Sequence, residues 1–317
     1  MGLALSCPVQ CIAAITSQVI AHSTSIVDIA TKSCDEITTM ANTPSTQASN
    51  FQAICKQWRQ TRKLSQLDLA LAANVSQRHV SWLETGRSMP SRDMVIRLSE
   101  AMDIPLRERN LLFQAAGYAS NYRETDLAEP VMQPVRDALQ HVLSHHQPLP
   151  AIVVDRYWNV KMKNPAADML LGFAQGIDAI MKDVSQNQEI NLALLTLHPQ
   201  GLRQYMTNWD QAAPAFLRRL HNEALASGDK ALQDRFSEMA DLAGDITPAN
   251  DTPGHLLPVL PLELTLGDTS LSLFSVISTF GTPQDITTDE LRIEAFYPTD
   301  KETASFFEAL HTPDITG

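Results

Sequence analysis

The sequence predicts two domains of different fold class: an all-α domain of five helices, then an α+β domain with a five-stranded antiparallel sheet and inserted helices. Two observations predict this division. Apolar residues recur at helical spacing through residues 51–117 and alternate as in strands beyond residue 150. The 317-residue chain, 44% apolar, is long enough to fill two cores. We therefore expect a multidomain protein, with residues 118–150 as a connector and residues 151–311 as the second domain.

The charge divides between the same two parts of the chain. The formal net charge is −12, yet residues 51–117 carry ten basic against six acidic side chains, and residues 118–317 carry 13 against 27. A basic module is typical of contact with phosphate groups. An acidic module is repelled by nucleic acid, which keeps its surface free for a ligand or another protein.

Residues 1–50 are expected to form a weakly ordered extension. They contain one basic residue, so no positive segment precedes an apolar run as in a secretory signal. The polar stretch after Met40 suggests Met40 as the native start. Cys7 and Cys11 have no His or Cys partners at zinc spacing, so no metal is expected. No apolar run of about 18 residues predicts a membrane helix, and the expected location is the cytoplasm.

Residues 51–117 show the pattern of five helices. The first has an apolar face at helical spacing, the fourth follows Pro90 with Ser91 as its cap, and the fifth follows Pro105. Gly117 ends the fifth helix, as glycine commonly does. The residues expected to be buried in these three helices are Phe51, Ile54, Cys55, Trp58, Met94, Val95, Leu98, Met102, Leu111, Leu112 and Ala115.

Residues 65–87 predict a helix-turn-helix. Ser65 is an N-cap, with Asp68 in capping-box position. Asn74 lies where the turn needs a left-handed backbone, which Asn tolerates better than other non-glycine residues. Ser76 caps the second helix. The residues expected to face inward are Leu67, Ala70, Leu71, Val80 and Leu83.

The outward face of that second helix carries Gln77, Arg78, Ser81 and Trp82. Side chains near the start of such a helix reach base edges in the major groove, where Gln pairs with adenine and Arg with guanine. The alternative is an ordinary pair of helices whose polar face is only solvated. The agreement of several spacings favours DNA reading.

The pattern SQxxLA followed by VSQxxVSxLExGRxxPS resembles the phage-repressor-like, XRE-type helix-turn-helix family over about 65 residues. The resemblance implies a five-helix, lambda-repressor-like domain. It also implies base contacts from Gln77 and Arg78, a groove-facing role for Trp82, and phosphate contacts from Lys56 and Arg87. A tryptophan is unusual at its position and could instead pack on sugar or a thymine methyl.

Three further roles follow from the resemblance. Gln66 would brace a phosphate and the recognition glutamine. Arg59 and Glu84 match a buried ion pair that ties the first helix to the third, so Arg59 is not counted among the DNA contacts.

Residues 118–150 are expected to contain a helix over Val131–Ser144, with Val135, Leu139 and Val142 on one side. His141, His145 and His146 crowd its end. A metal site is one interpretation, but no acidic or Cys partner is near in sequence, and the helix dipole favours cationic residues there anyway.

The pattern of apolar residues over 151–311 predicts the strands of the five-stranded sheet. Ala151–Val154 is an apolar strand, and Trp158, Val160 and Met162 alternate in a second. Helices are expected around residues 167–171, 190–197, 201–209, 213–227 and 230–242. Val259–Leu266 and Ser270–Phe280 pair across Gly267-Asp268, Leu291–Tyr297 is a fifth strand, and Asp300–Leu310 a closing helix.

Three stretches, LPAIVVDRYWNVKMKNPAA, NLALLTLHPQGLRQYMTNW and SLFSVISTFGTPQDITTDELRIEAFYP, resemble the ligand-binding domain of MmyB-like transcription regulators. The resemblance spans roughly residues 125–311. It implies a PAS-like fold and a small apolar ligand, with a fatty acid as one class; no other cofactor is expected.

Large apolar residues and one arginine are the candidate ligand contacts: Trp158, Met162, Arg203, Met206, Trp209 and Phe274. Ligand pockets are mostly apolar with a few convergent polar groups, and Arg203 could meet a carboxylate. For each apolar residue of this set, the alternative is that it packs in the hydrophobic core and does not contact a ligand.

These features together predict a ligand-responsive transcription regulator. One helix reads few bases, so we expect a homodimer on double-stranded DNA with an inverted-repeat operator. The sequence shows no catalytic set. Two alternatives stay open: an antitoxin-like DNA-binding protein whose acidic domain binds a protein partner, and an enzyme with a regulatory helix-turn-helix.

Overall fold

The structure, a computed structural model, describes residues 45–172, 189–244 and 258–311. The predictions for residues 1–44, including the start at Met40 and the two cysteines, lie outside these ranges. None of the described helices has the length and apolarity needed to span a bilayer.

Five helices form the first domain, as expected: α1 Ser45–Thr61, α2 Gln66–Ala72, α3 Gln77–Glu84, α4 Arg92–Ala101 and α5 Leu106–Ala115. The predicted capping box is confirmed, because the Ser65 hydroxyl accepts from the Asp68 N–H and the Asp68 carboxylate accepts from the Ser65 N–H. Asn74 has a φ of 52° in the turn. Ser76 caps α3. Local hydrogen bonds therefore fix where these helices begin.

The inward faces of two helices differ from the prediction. In α2 the buried residues are Leu69 and Ala70, whereas Leu67 is 50% and Leu71 72% exposed. In α5 Leu111 is exposed, and Phe113, two residues further on, is fully buried. Both helices are short and rich in apolar residues, so packing against neighbours, rather than spacing alone, selects the buried face.

The connector and the second domain together contain seven α-helices and five strands in the described ranges. The helices are α6 Gln133–His145, α7 Pro165–Gly172, α8 Leu192–Leu197, α9 Trp209–Ser227, α10 Lys230–Leu242, α11 Ile286–Glu290 and α12 Lys301–His311. The strands are β1 Ala151–Val154, β2 Val160–Lys163, β3 Leu262–Leu266, β4 Thr269–Ser278 and β5 Arg292–Pro298.

The strands form one antiparallel sheet in the order β2-β1-β5-β4-β3. The first strand thus lies beside the last, and α7 to α10 are inserted between β2 and β3. This is the PAS-like arrangement that the sequence predicts. One face of the sheet packs on the inserted helices. On the other face, Leu139 and Leu143 of α6 pack against Ala151 and Val153 of β1.

Three local predictions are wrong, and one short helix was not predicted. Trp158 is not in β2: it lies in the preceding turn with a φ of 68° and is 1% exposed. Only Leu202–Tyr205, a single 3-10 turn, is helical between α8 and α9. Val142 is exposed, and the neighbouring Leu143 is buried on the inward face of α6 instead. The sequence reading also missed α11, a five-residue helix capped by Asp285.

Candidate functional site

The exposed face of α3 carries the residues predicted to read DNA. Gln77 and Arg78 are exposed, and Ser81 and Trp82 are partly exposed. The Arg78 guanidinium carbon lies 4.5 Å from the centroid of the Trp82 ring, so the two side chains form one stacked unit. Trp82 thus contacts Arg78 on the same face of α3.

Glu84 connects α3 to the two helices that precede it. Arg59 of α1 donates to both of its carboxylate oxygens, at 2.6 and 2.9 Å, which confirms the expected ion pair. The Gln66 amide nitrogen donates to the same carboxylate at 2.9 Å. Burial would raise the pKa of Glu84, but these hydrogen bonds outweigh burial and hold its pKa below the usual value. One buried carboxylate thus joins α1, α2 and the end of α3.

Two exposed cations flank this face, Lys56 on α1 and Arg87 after α3. The turn that carries Arg87 contains Gly86 with a φ of 75°, and the Arg87 N–H donates to the Trp82 carbonyl at 2.9 Å. The Gln52 side chain lies against Gly86 so closely that a Cβ would collide with it. Sequence reasoning missed Gln52, although its spacing of four from Lys56 places both on one side of α1.

A cavity of about 220 Å³ lies between the sheet and α9. Three of the predicted ligand contacts line it: Trp158, Met206 and Phe274. Its walls are mostly apolar, and other lining residues include Ile152, Leu170, Leu192, Leu202, Phe216, Leu262, Leu264, Leu273 and Phe296. Among the described residues, the arrangement is that of an apolar ligand site with a few polar groups.

The other three predicted contacts lie outside this lining. Met162 packs on the far face of the sheet with the cluster of Leu139 and Leu143. The Arg203 guanidinium lies 4.5 Å from the centroid of the Trp209 ring and donates to the Leu242 carbonyl at 3.1 Å. Arg203 therefore connects the 3-10 turn to the end of α10. Its guanidinium interacts with the Trp209 ring and the Leu242 carbonyl.

The polar end of the cavity is formed by residues that the sequence reading did not select. Arg219 donates from Nη1 to Glu294 Oε1 and from Nε to Glu223 Oε1, each at 3.1 Å. Its guanidinium carbon also lies 4.4 Å from the centroid of the Trp158 ring, whose Nε1 donates to Glu223 Oε2 at 3.1 Å. Glu294 alternates with Phe296 on β5, and that spacing was the available signal for a shared face.

Charged contacts join the two domains beside this end. Asp289 accepts from the Leu106 N–H at 3.0 Å and so caps the start of α5. Glu290 accepts from Arg107 of α5, at 2.7 and 2.9 Å, and from Arg156 of the β1–β2 turn at 2.8 Å. Arg156 also donates to Asp229 at 2.6 Å. Burial raises the pKa of Asp289.

A second contact between the domains lies at the end of α9. Gly228 terminates this helix with a φ of 70°, and a Cβ built on it would lie 2.5 Å from the Trp58 ring of α1. The tryptophan therefore packs directly on the glycine backbone. A single helix thus runs from the cavity, where Phe216 and Arg219 line the wall, to the first domain.

Two family models match the chain. Residues 135–310 match the MmyB-like transcription regulator ligand binding domain, and residues 56–109 match a helix-turn-helix model. A comparison with curated proteins gives no match.

Solved structures show only distant likeness. The PAS domain of Bordetella pertussis BvgS is 16% identical, with a TM-score of 0.23 over 55% of this chain and 95% of that domain. An RNA-binding light-oxygen-voltage receptor is 11% identical, with a TM-score of 0.24 over 83% of this chain and 64% of the receptor. The PAS-like assignment therefore rests on the strand order of the sheet.

Proposed function

Since one family model covers more than half of the chain, the chain belongs to the MmyB-like transcription regulators, and we propose that occupancy of its cavity controls operator binding by its first domain. The two matched models make it a DNA-binding regulator with a ligand-binding domain. The proposal adds that the two domains are coupled, and it assigns residues to each task.

For DNA, we assign base reading to Gln77, Arg78, Ser81 and Trp82, and phosphate contact to Lys56, Gln66 and Arg87. The exposure of Gln77 and Arg78 on α3 supports the first assignment. A single recognition helix contacts few bases, so the chain would act as a homodimer on an inverted repeat.

For the ligand, we assign the apolar cavity between the sheet and α9. The cavity volume of about 220 Å³ suits a small molecule. Its mostly apolar lining supports an apolar ligand, a class that includes fatty acids. The domain boundaries at residues 117 and 151 are part of this proposal, although the packing of α6 on β1 attaches the connector to the second domain.

The observation that carries the coupling is the course of α9. A ligand that displaces Phe216 or Arg219 would move the same helix whose last turn packs on Trp58. Trp58 belongs to α1, and α1 holds the reading helix through Arg59 and Glu84. A ligand changes DNA affinity only if it binds the two arrangements of this path unequally.

Native mass spectrometry of freshly purified chain, combined with operator selection from randomised DNA, tests the proposal. We expect a dimer that carries a small molecule and selects an inverted repeat. A stoichiometric protein partner in place of the small molecule would contradict the ligand assignment and support an antitoxin-like role. Chemical turnover of the bound molecule would support an enzyme instead.

A further inference from the structure

A cleft of about 610 Å³ lies between the two domains, and its described lining shares no residue with that of the apolar cavity. One wall comes from the first domain, at the end of α4 and the start of α5. The other comes from the end of α9, from α10 and from the segment between β4 and β5. Ligand sites commonly form where two domains meet. The described lining is rich in carboxylates: Glu100, Asp103, Glu108, Glu223, Asp289 and Glu290.

Glu108 of α5 is a buried carboxylate that lines this cleft without a partner. It is 7% exposed, and it forms no hydrogen bond or ion pair within the described part of the chain. Neither of its oxygens is fully enclosed, so a molecule in the cleft can reach them. Burial raises the pKa of Glu108, and the charge of Arg156 offsets this only in part. A buried carboxylate without a donor is unfavourable, because it has lost its hydration.

The arginines of the cleft do not compensate this carboxylate. Among the four in the described lining, Arg62 and Arg109 donate to backbone carbonyls at 2.6 to 2.8 Å, and Arg156 donates to two other carboxylates. The charge of Arg292 acts on Asp289. Six carboxylates against four arginines give the described lining an excess of negative charge, which attracts a cation and repels an anion.

The side chains of the cleft favour an organic cation over a metal ion. Within the described ranges, no three His, Cys, Asp or Glu side chains are arranged to hold a metal. An ammonium group needs no such cage, because a single carboxylate can accept one of its protons in a charge-assisted hydrogen bond. Such a bond is strong where solvation is poor, as it is at Glu108.

We propose that the cleft between the domains binds a small organic cation whose ammonium group donates to the Glu108 carboxylate. The site goes beyond the proposed function, because it is separate from the apolar cavity and takes a ligand of another chemical class. Glu108 belongs to the first domain and Ser227, at the end of α9, to the second. The bound cation therefore contacts both domains and stabilises their contact.

Isothermal titration of the full chain with three four-carbon probes tests the charge of the ligand: butane-1,4-diamine, butane-1,4-diol and succinate. At neutral pH the diamine is a cation, the diol is neutral and succinate is an anion. The diol can also donate to Glu108, so it separates charge from hydrogen bonding. We expect the diamine to bind at least about tenfold more tightly than the other two probes. The wild-type series alone tests the proposal, even if variants fold poorly.

Glu108→Gln tests the assigned carboxylate. The substitution removes the charge, keeps the size of the side chain and breaks no contact that the described residues make with the carboxylate. We expect it to weaken diamine binding at least about tenfold and to abolish the rise in Tm that the diamine gives the wild type. Glu100→Gln, which removes the same charge from an exposed position in the cleft, is the matched control and should weaken binding less than about twofold.

Three results would overturn the inference. If the diol or succinate binds as tightly as the diamine, the charge assignment is wrong. Equal losses in the two glutamate variants would mean that the general negative charge of the cleft, and not Glu108, holds the diamine. If no probe binds the folded chain, the cleft is not a ligand site, while the apolar cavity and the proposed function stand unchanged.

Discussion

At the scale of single residues, Glu84 is expected to stabilise the DNA-binding domain through its ion pair with Arg59. Glu84→Gln should lower the free energy of unfolding by about 3–5 kcal/mol at neutral pH, because it leaves the partly buried Arg59 without a counter-charge. Urea unfolding measures the loss. Asp93→Asn, which breaks an exposed pair with Arg97, is the control and should cost less than about 1 kcal/mol.

The same carboxylate predicts a pH dependence. The pKa of folded Glu84 lies below its unfolded value of about 4.3. The ion pair therefore adds stability above that pH, and the contribution is lost as the pH falls through the folded pKa. The wild type and Glu84→Gln should differ most near pH 7 and converge in acid. Parallel stability curves from pH 7 to pH 3 would refute this role.

The exposed residues of α3 carry the prediction for DNA specificity. Gln77→Ala and Arg78→Ala should each weaken operator binding by about 1–3 kcal/mol and relax specificity at one base position. Arg87→Ala should instead weaken all sequences alike and reduce the salt slope by about 1. Fluorescence anisotropy with operator and scrambled DNA separates these effects. Arg218→Ala, an exposed arginine of the second domain, is the control, and an equal loss there would argue for general electrostatics.

Residue-level predictions succeeded where a local rule applied. Ser65, Asp68 and Asn74 follow capping and turn geometry, so their roles are readable from spacing. Arg203 was assigned to a ligand because residues 201–209 were expected to form one helix, but the chain makes a single 3-10 turn there. Glu294 was not selected because its partner Arg219 lies 75 residues away, and no local pattern indicates that contact.

At the scale of elements, the C-terminus of α9 is the predicted transmission point. Gly228→Ala should disturb coupling, because its Cβ would collide with Trp58 in addition to straining a positive φ. Gly244→Ala, with a φ of 76° and an unobstructed Cβ, isolates the strain of about 1–2 kcal/mol. We expect only Gly228→Ala to change how a cavity ligand alters operator affinity. An equal effect of both variants would remove α9 from the path.

The short helix α11 was not predicted, because its five residues include only one apolar side chain, Ile286, and so show no helical periodicity. Its importance comes from Glu290, which accepts from both Arg107 and Arg156. Glu290→Gln should weaken the contact between the domains and separate their unfolding into two transitions. Differential scanning calorimetry shows the number of transitions. Glu238→Gln, an exposed carboxylate on α10, should leave the profile unchanged; a single transition in Glu290→Gln would show that this pair is not needed for cooperativity.

At the scale of the whole molecule, the division into a basic helical domain and an acidic α+β domain could be predicted, because composition and periodicity change along the chain. The contact between the domains could not be predicted. Its hydrogen bonds join residues 183 positions apart, and they depend on side-chain geometry rather than on sequence pattern. The cavity could be predicted only in part. Its apolar wall follows from the alternation of residues in the strands, but its polar end combines side chains of α9 and β5, which are distant in sequence.

Coupling between the two domains is the central claim, and the operator affinity of the full chain with an empty and a filled cavity tests it most directly. Kd for the selected operator would be measured by anisotropy with and without a saturating concentration of the small molecule that native mass spectrometry identifies, after calorimetry has established that it binds. We predict a change of about fivefold or more, as expected for ordinary allosteric coupling. An unchanged Kd, with the small molecule bound in the same sample, would contradict coupling between the domains.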